Sequence, residues 1–163
     1  MNGHSEKSYV ENQVLNAMLL PMADVSLLVP MSAIAEIVSG ELSVDIVDAT
    51  DQRFFGWIHW RDQRLPLISF EGLAGNAHAP ITSNCRIAVL NAVGPAAQRG
   101  YYAIMLNWLP RPLRMYSLED TFPVTAVPNK VGVLCEARLA GESVMIPDFD
   151  FLENLSLELR DGV

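Results

Sequence analysis

The strongest constraint on the fold is a β-hairpin pattern that occurs twice. Gly56-Trp57-Ile58-His59-Trp60 reads as a strand, Arg61 to Arg64 as a four-residue polar turn, and Leu65-Pro66-Leu67-Ile68 as a second strand. Aromatic and β-branched residues suit the half-buried pleated backbone of the first arm, and Asp62 tolerates the left-handed conformation that a tight turn demands. Far downstream, Val131-Gly132-Val133-Leu134-Cys135-Glu136-Ala137-Arg138 leads through Leu139 to Glu142 into Ser143-Val144-Met145-Ile146-Pro147. Each copy has a glycine near its start, an arginine near the end of its first arm, an apolar second arm and a Phe-containing exit. This echo predicts two similar β units in tandem. Neither unit carries visible catalytic equipment, and the chain reads as one built to present surfaces.

The rest of the sequence falls into place around the hairpins. Residues 1–13 are expected to be a flexible tail. Val14 to Pro21, Val25 to Pro30 and Ile34 to Val38 read as strands, the first two nearly continuous in apolar residues, as where a strand is buried on both faces. Ser39 to Arg53, with Glu41, Asp45, Asp48 and Asp51, is expected to be an exposed acidic connection. Glu71 to Asn84, rich in Gly, Ala, Pro, Ser and Asn, is the best linker, and places a boundary between units near 71–84. Beyond it come strands at Cys85 to Val93, Tyr101 to Asn107 and Arg111 to Ser117, the last confined by Pro110 and Pro112 to an edge or bend. Leu118 to Lys130 is a second long connection. Leu152, Leu155 and Leu159 share one helical face, with Asp150 and Glu153 marking the helix start, so a short amphipathic helix closes the chain and covers a barrel end. Residues 158–163 are expected as a tail. The reading is all-β, two sets of five strands with a C-terminal helix.

Composition narrows the function classes. Half of the 163 residues are hydrophobic and 18% are charged, enough to build a substantial core. Eleven Lys and Arg against 19 Asp and Glu give a net charge of −8. That charge opposes phosphate backbones and anionic lipid, which argues against nucleic acid or a membrane surface as partner, and it keeps an oily protein in solution. Cys85 and Cys135 lie inside apolar runs and read as buried free thiols of a reducing compartment. The N-terminus lacks the marks of a secretion signal, and no apolar run approaches the roughly 20 residues of a membrane span. A cytoplasmic protein with no direct membrane insertion is expected.

Sites of chemistry are not visible. His4, His59 and His78 stand in no metal-ligand spacing with Cys, Asp or Glu. Nucleophile elbows, phosphate-cradling loops and dinucleotide fingerprints are missing from the sequence. No catalysis, no metal and no cofactor are expected, and His59 reads as an ordinary, partly exposed histidine. Two charged residues stand out by position. Glu36 is set in the apolar run Met31-Ser32-Ala33-Ile34-Ala35-Glu36-Ile37-Val38, and Arg61 ends the tryptophan strand. A carboxylate in a half-buried strand needs a partner and a guanidinium can supply one, so a Glu36–Arg61 ion pair is expected, with solvation at a sheet edge as the alternative.

Together these features resemble the CheW-like family of chemotaxis coupling proteins. That family carries Gly-x-x-Asn-Leu-Arg-Gly followed by Pro-x-x-Asp-Leu, and Gly56, Arg61 and Pro66 fall on its glycine, arginine and proline. Ile34-Ala35-Glu36-Ile37 falls on the family's Val-x-Glu-Ile, and Val131-Gly132, Val144 to Pro147 and the final helix match its second hairpin and closing helix. The resemblance covers residues 14–157. Departures occur where Asn-Leu-Arg-Gly reads His59-Trp60-Arg61-Asp62 and where the later aspartate is Ser69. They suggest a divergent or auxiliary member, as from a chemosensory system that controls type IV pili and twitching.

The resemblance implies two SH3-like five-stranded β-barrels packed together and no enzymatic activity. It implies an adaptor that binds both the cytoplasmic tip of a methyl-accepting chemoreceptor and the regulatory domain of a CheA-type histidine kinase. Carried over by position, Ile34, Glu36, Gly56 and Arg61 are expected at or beneath a receptor-binding groove, while Gly56 and Arg61 equally suit a fold-holding role. Two rivals are a module that binds the kinase but no receptor, and a small-molecule-binding β-barrel.

Overall fold

The central strands carry apolar residues on both faces because they serve two cores at once. The computed structural model describes residues 14–40, 44–47, 50–94, 100–115, 130–139 and 141–162. Among these the strands are β1 (Leu15–Pro21), β2 (Ser26–Pro30), β3 (Ile34–Ser39), β4 (Val44–Ile46), β5 (Phe54–Trp60), β6 (Gln63–Ile68), β7 (Arg86–Asn91), β8 (Tyr101–Leu106), β9 (Arg111–Met115), β10 (Val133–Leu139) and β11 (Glu142–Pro147). A single 3-10 turn occupies Met31–Ala33, and two helices follow, α1 (Phe70–Leu73) and α2 (Phe149–Asp161). In the central strands β7 and β8, Ile87, Val89, Ala103 and Met105 fill the inside of one barrel. The alternate residues Ala88, Leu90, Tyr102, Ile104 and Leu106 face a second cluster shared with the rest of the molecule. Burial of both faces explains why these runs are almost wholly apolar.

The all-β architecture of two small packed barrels with a C-terminal helix is as expected, but the strands are shared out differently. A six-stranded sheet has the order β3-β7-β8-β6-β5-β4, and a five-stranded sheet the order β10-β11-β2-β1-β9. The boundary expected near 71–84 is therefore not where the sheets part. β1 and β2 pair with β9 and β11 from the far end of the chain, and β7 and β8 from beyond the linker complete the sheet begun by β3. The parallel pairing of β6 with β8 (Leu67↔Ala103, Ile68↔Ile104) requires a crossover, which 69–100 supplies. The extra strand is β4, inside the connection expected to be irregular. Val44 and Ile46 pair with Ile58 and Gly56 there, while Asp45 points to water.

Both hairpins are present. Arg61 and Asp62 have φ of 44° and 60°, and Trp60 pairs directly with Gln63, so the turn is a two-residue type I′ rather than the four residues expected. Each hairpin also opens with a register shift, between Phe54 and Gly56 in one and Val133 and Cys135 in the other. The first of these bulges directs Phe55 and Ile58, three apart, into the barrel while Phe54 and Trp57 face the shared cluster.

Helix α2 closes the shared cluster. Leu152, Leu155 and Leu159 pack there with Leu20, Leu27, Val29, Ile68 and Phe70, as their spacing predicts. The helix starts earlier than expected: Asp148 is the cap, its side chain accepting from Phe151 N at 3.1 Å. Glu153 instead is buried and accepts from Val93 N and Gly94 N at 2.6 and 2.9 Å, tethering the exit of β7. The helix continues to Asp161, so most of the expected tail at 158–163 is its last turn, with Arg160 donating to the Tyr101 carbonyl. Cys85 is buried and Cys135 half-buried, both free. The expected N-terminal tail and most of the second long connection lie outside the described residues.

Candidate functional site

The residues singled out by sequence meet only in part. Glu36 and Arg61 do come together. The register shift between Ile34 and Glu36 lets Ile34 and Ile37 both pack on the shared core and leaves Glu36 at the barrel seam. There Arg61 Nη2 donates to Glu36 Oε2 at 3.2 Å. The side chains are 67% and 41% exposed, so this is a surface pair rather than a buried one. Glu36 accepts a second bond on the same oxygen, from Trp60 Nε1 at 2.8 Å. Because β3 is one edge of its sheet and β5 lies next to the other, these bonds span the seam at which the sheet closes on itself. An ion pair this open to water is worth about 0.2–1 kcal/mol. In a double-mutant cycle on unfolding, Glu36→Ala and Arg61→Ala are expected to couple by about that amount; a coupling above about 3 kcal/mol would mean a buried pair.

Gly56 is not at an exposed surface. It is buried in β5 with φ of +145°, and a Cβ built on it would fall 2.1 Å from the Asp45 carbonyl oxygen. The close neighbour that a strand glycine signals is β4 of the same chain. Ile34 is half-buried against the shared core. Ser69, in place of the aspartate expected from the resemblance, is fully buried and accepts from Gly72 N at 3.1 Å, capping α1.

The sequence reading missed Trp60 and Tyr101 as parts of this cluster. The Trp60 ring lies edge-on to Tyr101 with centroids 4.8 Å apart, and the Arg61 guanidinium sits 4.5 Å over its face. Adjacency to Arg61 is a weak local signal for Trp60; Tyr101 has none, being brought in by β8. Nearby, His59 Nε2 lies 3.3 Å from Asp45 Oδ2, linking exposed side chains of β5 and β4. At the foot of β5, Arg53 holds Asp51 through two hydrogen bonds at 2.9 and 2.7 Å. Those bonds keep the Asp51 carboxyl below the usual carboxylate range despite some burial.

A cleft of about 440 Å³ lies between the β1–β2 turn, α1 and the second hairpin, with Met22, Val25, Phe70 and Met145 on its walls. Two of its three carboxylates are engaged, Glu71 accepting from Ala23 N at 2.9 Å and Glu136 pairing with Lys130; the third is the exposed Asp24. A small-molecule site requires converging free polar groups, and here Glu71, Lys130 and Glu136 are tied to neighbours of the same chain. Among the described residues no group of three or more His, Cys, Asp or Glu is placed to hold a metal ion. No helix among them is long and apolar enough to cross a membrane.

Comparison with known proteins adds the family. A model described as the CheW-like domain matches residues 16–111. The crystal structure of the scaffolding protein TtCheW from Thermoanaerobacter tengcongensis is similar in fold, with a TM-score of 0.67 at 13% sequence identity over 86% of this chain and 88% of that one. No curated protein matches at the level of sequence.

Proposed function

The chain belongs to the CheW-like family, and from that premise we propose that it is a non-enzymatic adaptor coupling the cytoplasmic tip of a methyl-accepting chemoreceptor to the regulatory domain of a CheA-type histidine kinase. The observation that carries this reading is the family match across 16–111, which takes in the strand holding Glu36 and the hairpin turn holding Arg61. The receptor-facing residues in this reading are Glu36 and Arg61 at the surface, with Ile34 packed on the core behind β3 and Gly56 seating β4 against β5. The protein works in the cytoplasm beside receptor arrays. Its role is mechanical: by holding receptor and kinase in one geometry it lets receptor state bias kinase state. The departures at 59–62 and at Ser69 support a divergent member, and a chemosensory system controlling type IV pili and twitching is the setting proposed.

The test is a pull-down from native extract followed by binding measurements with each partner alone. Recovery of a histidine kinase together with a receptor is expected. Recovery of the kinase alone would replace this reading with that of a kinase-binding brake, a possibility favoured by the way β4 seals Gly56. Recovery of neither would end both.

A further inference from the structure

An exposed ion pair does not hold its own geometry. Two long side chains in water lose in conformational freedom nearly what their attraction returns. Here both members of the pair touch a third residue that cannot move with them. Trp60 is 6% exposed and set edge-on against Tyr101. Its indole N–H donates to Glu36 Oε2 at 2.8 Å, the oxygen that also takes Arg61 Nη2 at 3.2 Å. Its ring face carries the Arg61 guanidinium at 4.5 Å. The surface pair is therefore pinned from below by a buried ring.

We infer that Trp60 is a positioning residue that fixes Glu36 and Arg61 in one docking geometry before a partner arrives. This rests on the reading of Glu36 and Arg61 as receptor-facing. Because one carboxylate oxygen takes both internal donors, Glu36 Oε1 and the remaining N–H groups of Arg61 are left to face outward. They match a partner helix that presents a carboxylate to the guanidinium and a donor to the carboxylate. With both side chains already ordered, the entropy cost of immobilising them falls on folding and not on binding. The device belongs to this chain, since the leucine of Asn-Leu-Arg-Gly, whose place Trp60 takes, has no side-chain N–H to donate.

The first test needs neither mutation nor partner. In the wild-type protein, side-chain ¹⁵N relaxation at Arg61 Nε should report an ordered guanidinium, and the Trp60 indole proton should exchange slowly with solvent. A guanidinium as mobile as that of exposed Arg138, or a freely exchanging indole proton, overturns the inference. The second test uses Trp60→Phe, which keeps a ring beneath Arg61 and removes the donor. Loss of Arg61 order is expected, with binding of an isolated receptor-tip helical hairpin weakened about two- to tenfold and binding of the kinase regulatory domain unchanged. A folded variant with Arg61 as ordered as before, or with Arg61 loosened and receptor affinity intact, overturns the inference. If the wild-type protein shows the ordered pair but binds no receptor tip, the positioning role stands and the coupling function falls.

Discussion

Gly56→Ala should destabilise the protein by about 2–4 kcal/mol, and Gly56→Val by more, with β4 released from the sheet in both. Two independent effects add at this position. A φ of +145° lies in a region that residues with a Cβ rarely adopt, which costs about 1–3 kcal/mol. The added carbon would also sit 2.1 Å from the Asp45 carbonyl oxygen and 3.0 Å from Ile46 Cα, and both are backbone atoms that a rotamer change cannot move aside. The cheapest relief is for β4 to leave β5, which would expose Ile58 and Trp57 along one edge. Denaturant unfolding measures the loss, and amide exchange at Val44–Ile46 locates it. An alanine variant within about 0.5 kcal/mol of wild type would show that β4 does not press on Gly56. The room beside Gly56 is taken by the protein's own strand β4.

Cutting the chain within 71–84 is expected to leave two fragments that do not fold alone and that regain native structure only when mixed. The reason is the exchange of strands. An N-terminal fragment would keep β1 and β2 but lose β9 and β11, and would keep β3 and β6 but lose β7 and β8 between them. The shared core divides just as badly: Leu20, Leu27 and Ile68 lie on one side of the cut, and Leu90, Tyr102, Ile104, Leu106 and Leu152 on the other. Burying one such side chain is worth about 1.5–3 kcal/mol, against a net stability of about 5–15 kcal/mol for a domain. Exposing several of them exceeds any plausible reserve. Circular dichroism and NMR dispersion of each fragment, separately and mixed, make the measurement. A cooperatively unfolding N-terminal fragment would mean the two barrels are independent units after all.

What the sequence determined by itself were the features set by neighbours along the chain. The aromatic and β-branched run at 56–60 with a left-handed-tolerant turn carries its own hairpin signal, and so does its echo at 131–147. The spacing of Leu152, Leu155 and Leu159 makes a helix with one apolar face, whatever it lies on. Even the Glu36–Arg61 pair could be anticipated, because a carboxylate in an apolar strand restricts its partners to few candidates. Tertiary structure decided what those pieces met. Periodicity tells a strand which residues share a face but not which strand lies beside it, so the exchange of β1 and β2 into the far sheet left no local trace. β4 was hidden because two apolar residues among acids carry too little pattern to read, and it forms only because β5 offers it an edge. Glu153 looked like a helix-start residue and became the anchor of the β7 exit, since the chain folds Val93 and Gly94 within its reach. Trp60 looked like core, and its ring is core; its N–H became part of the surface pair because barrel closure carries β3 across to β5, an event that depends on every strand between them.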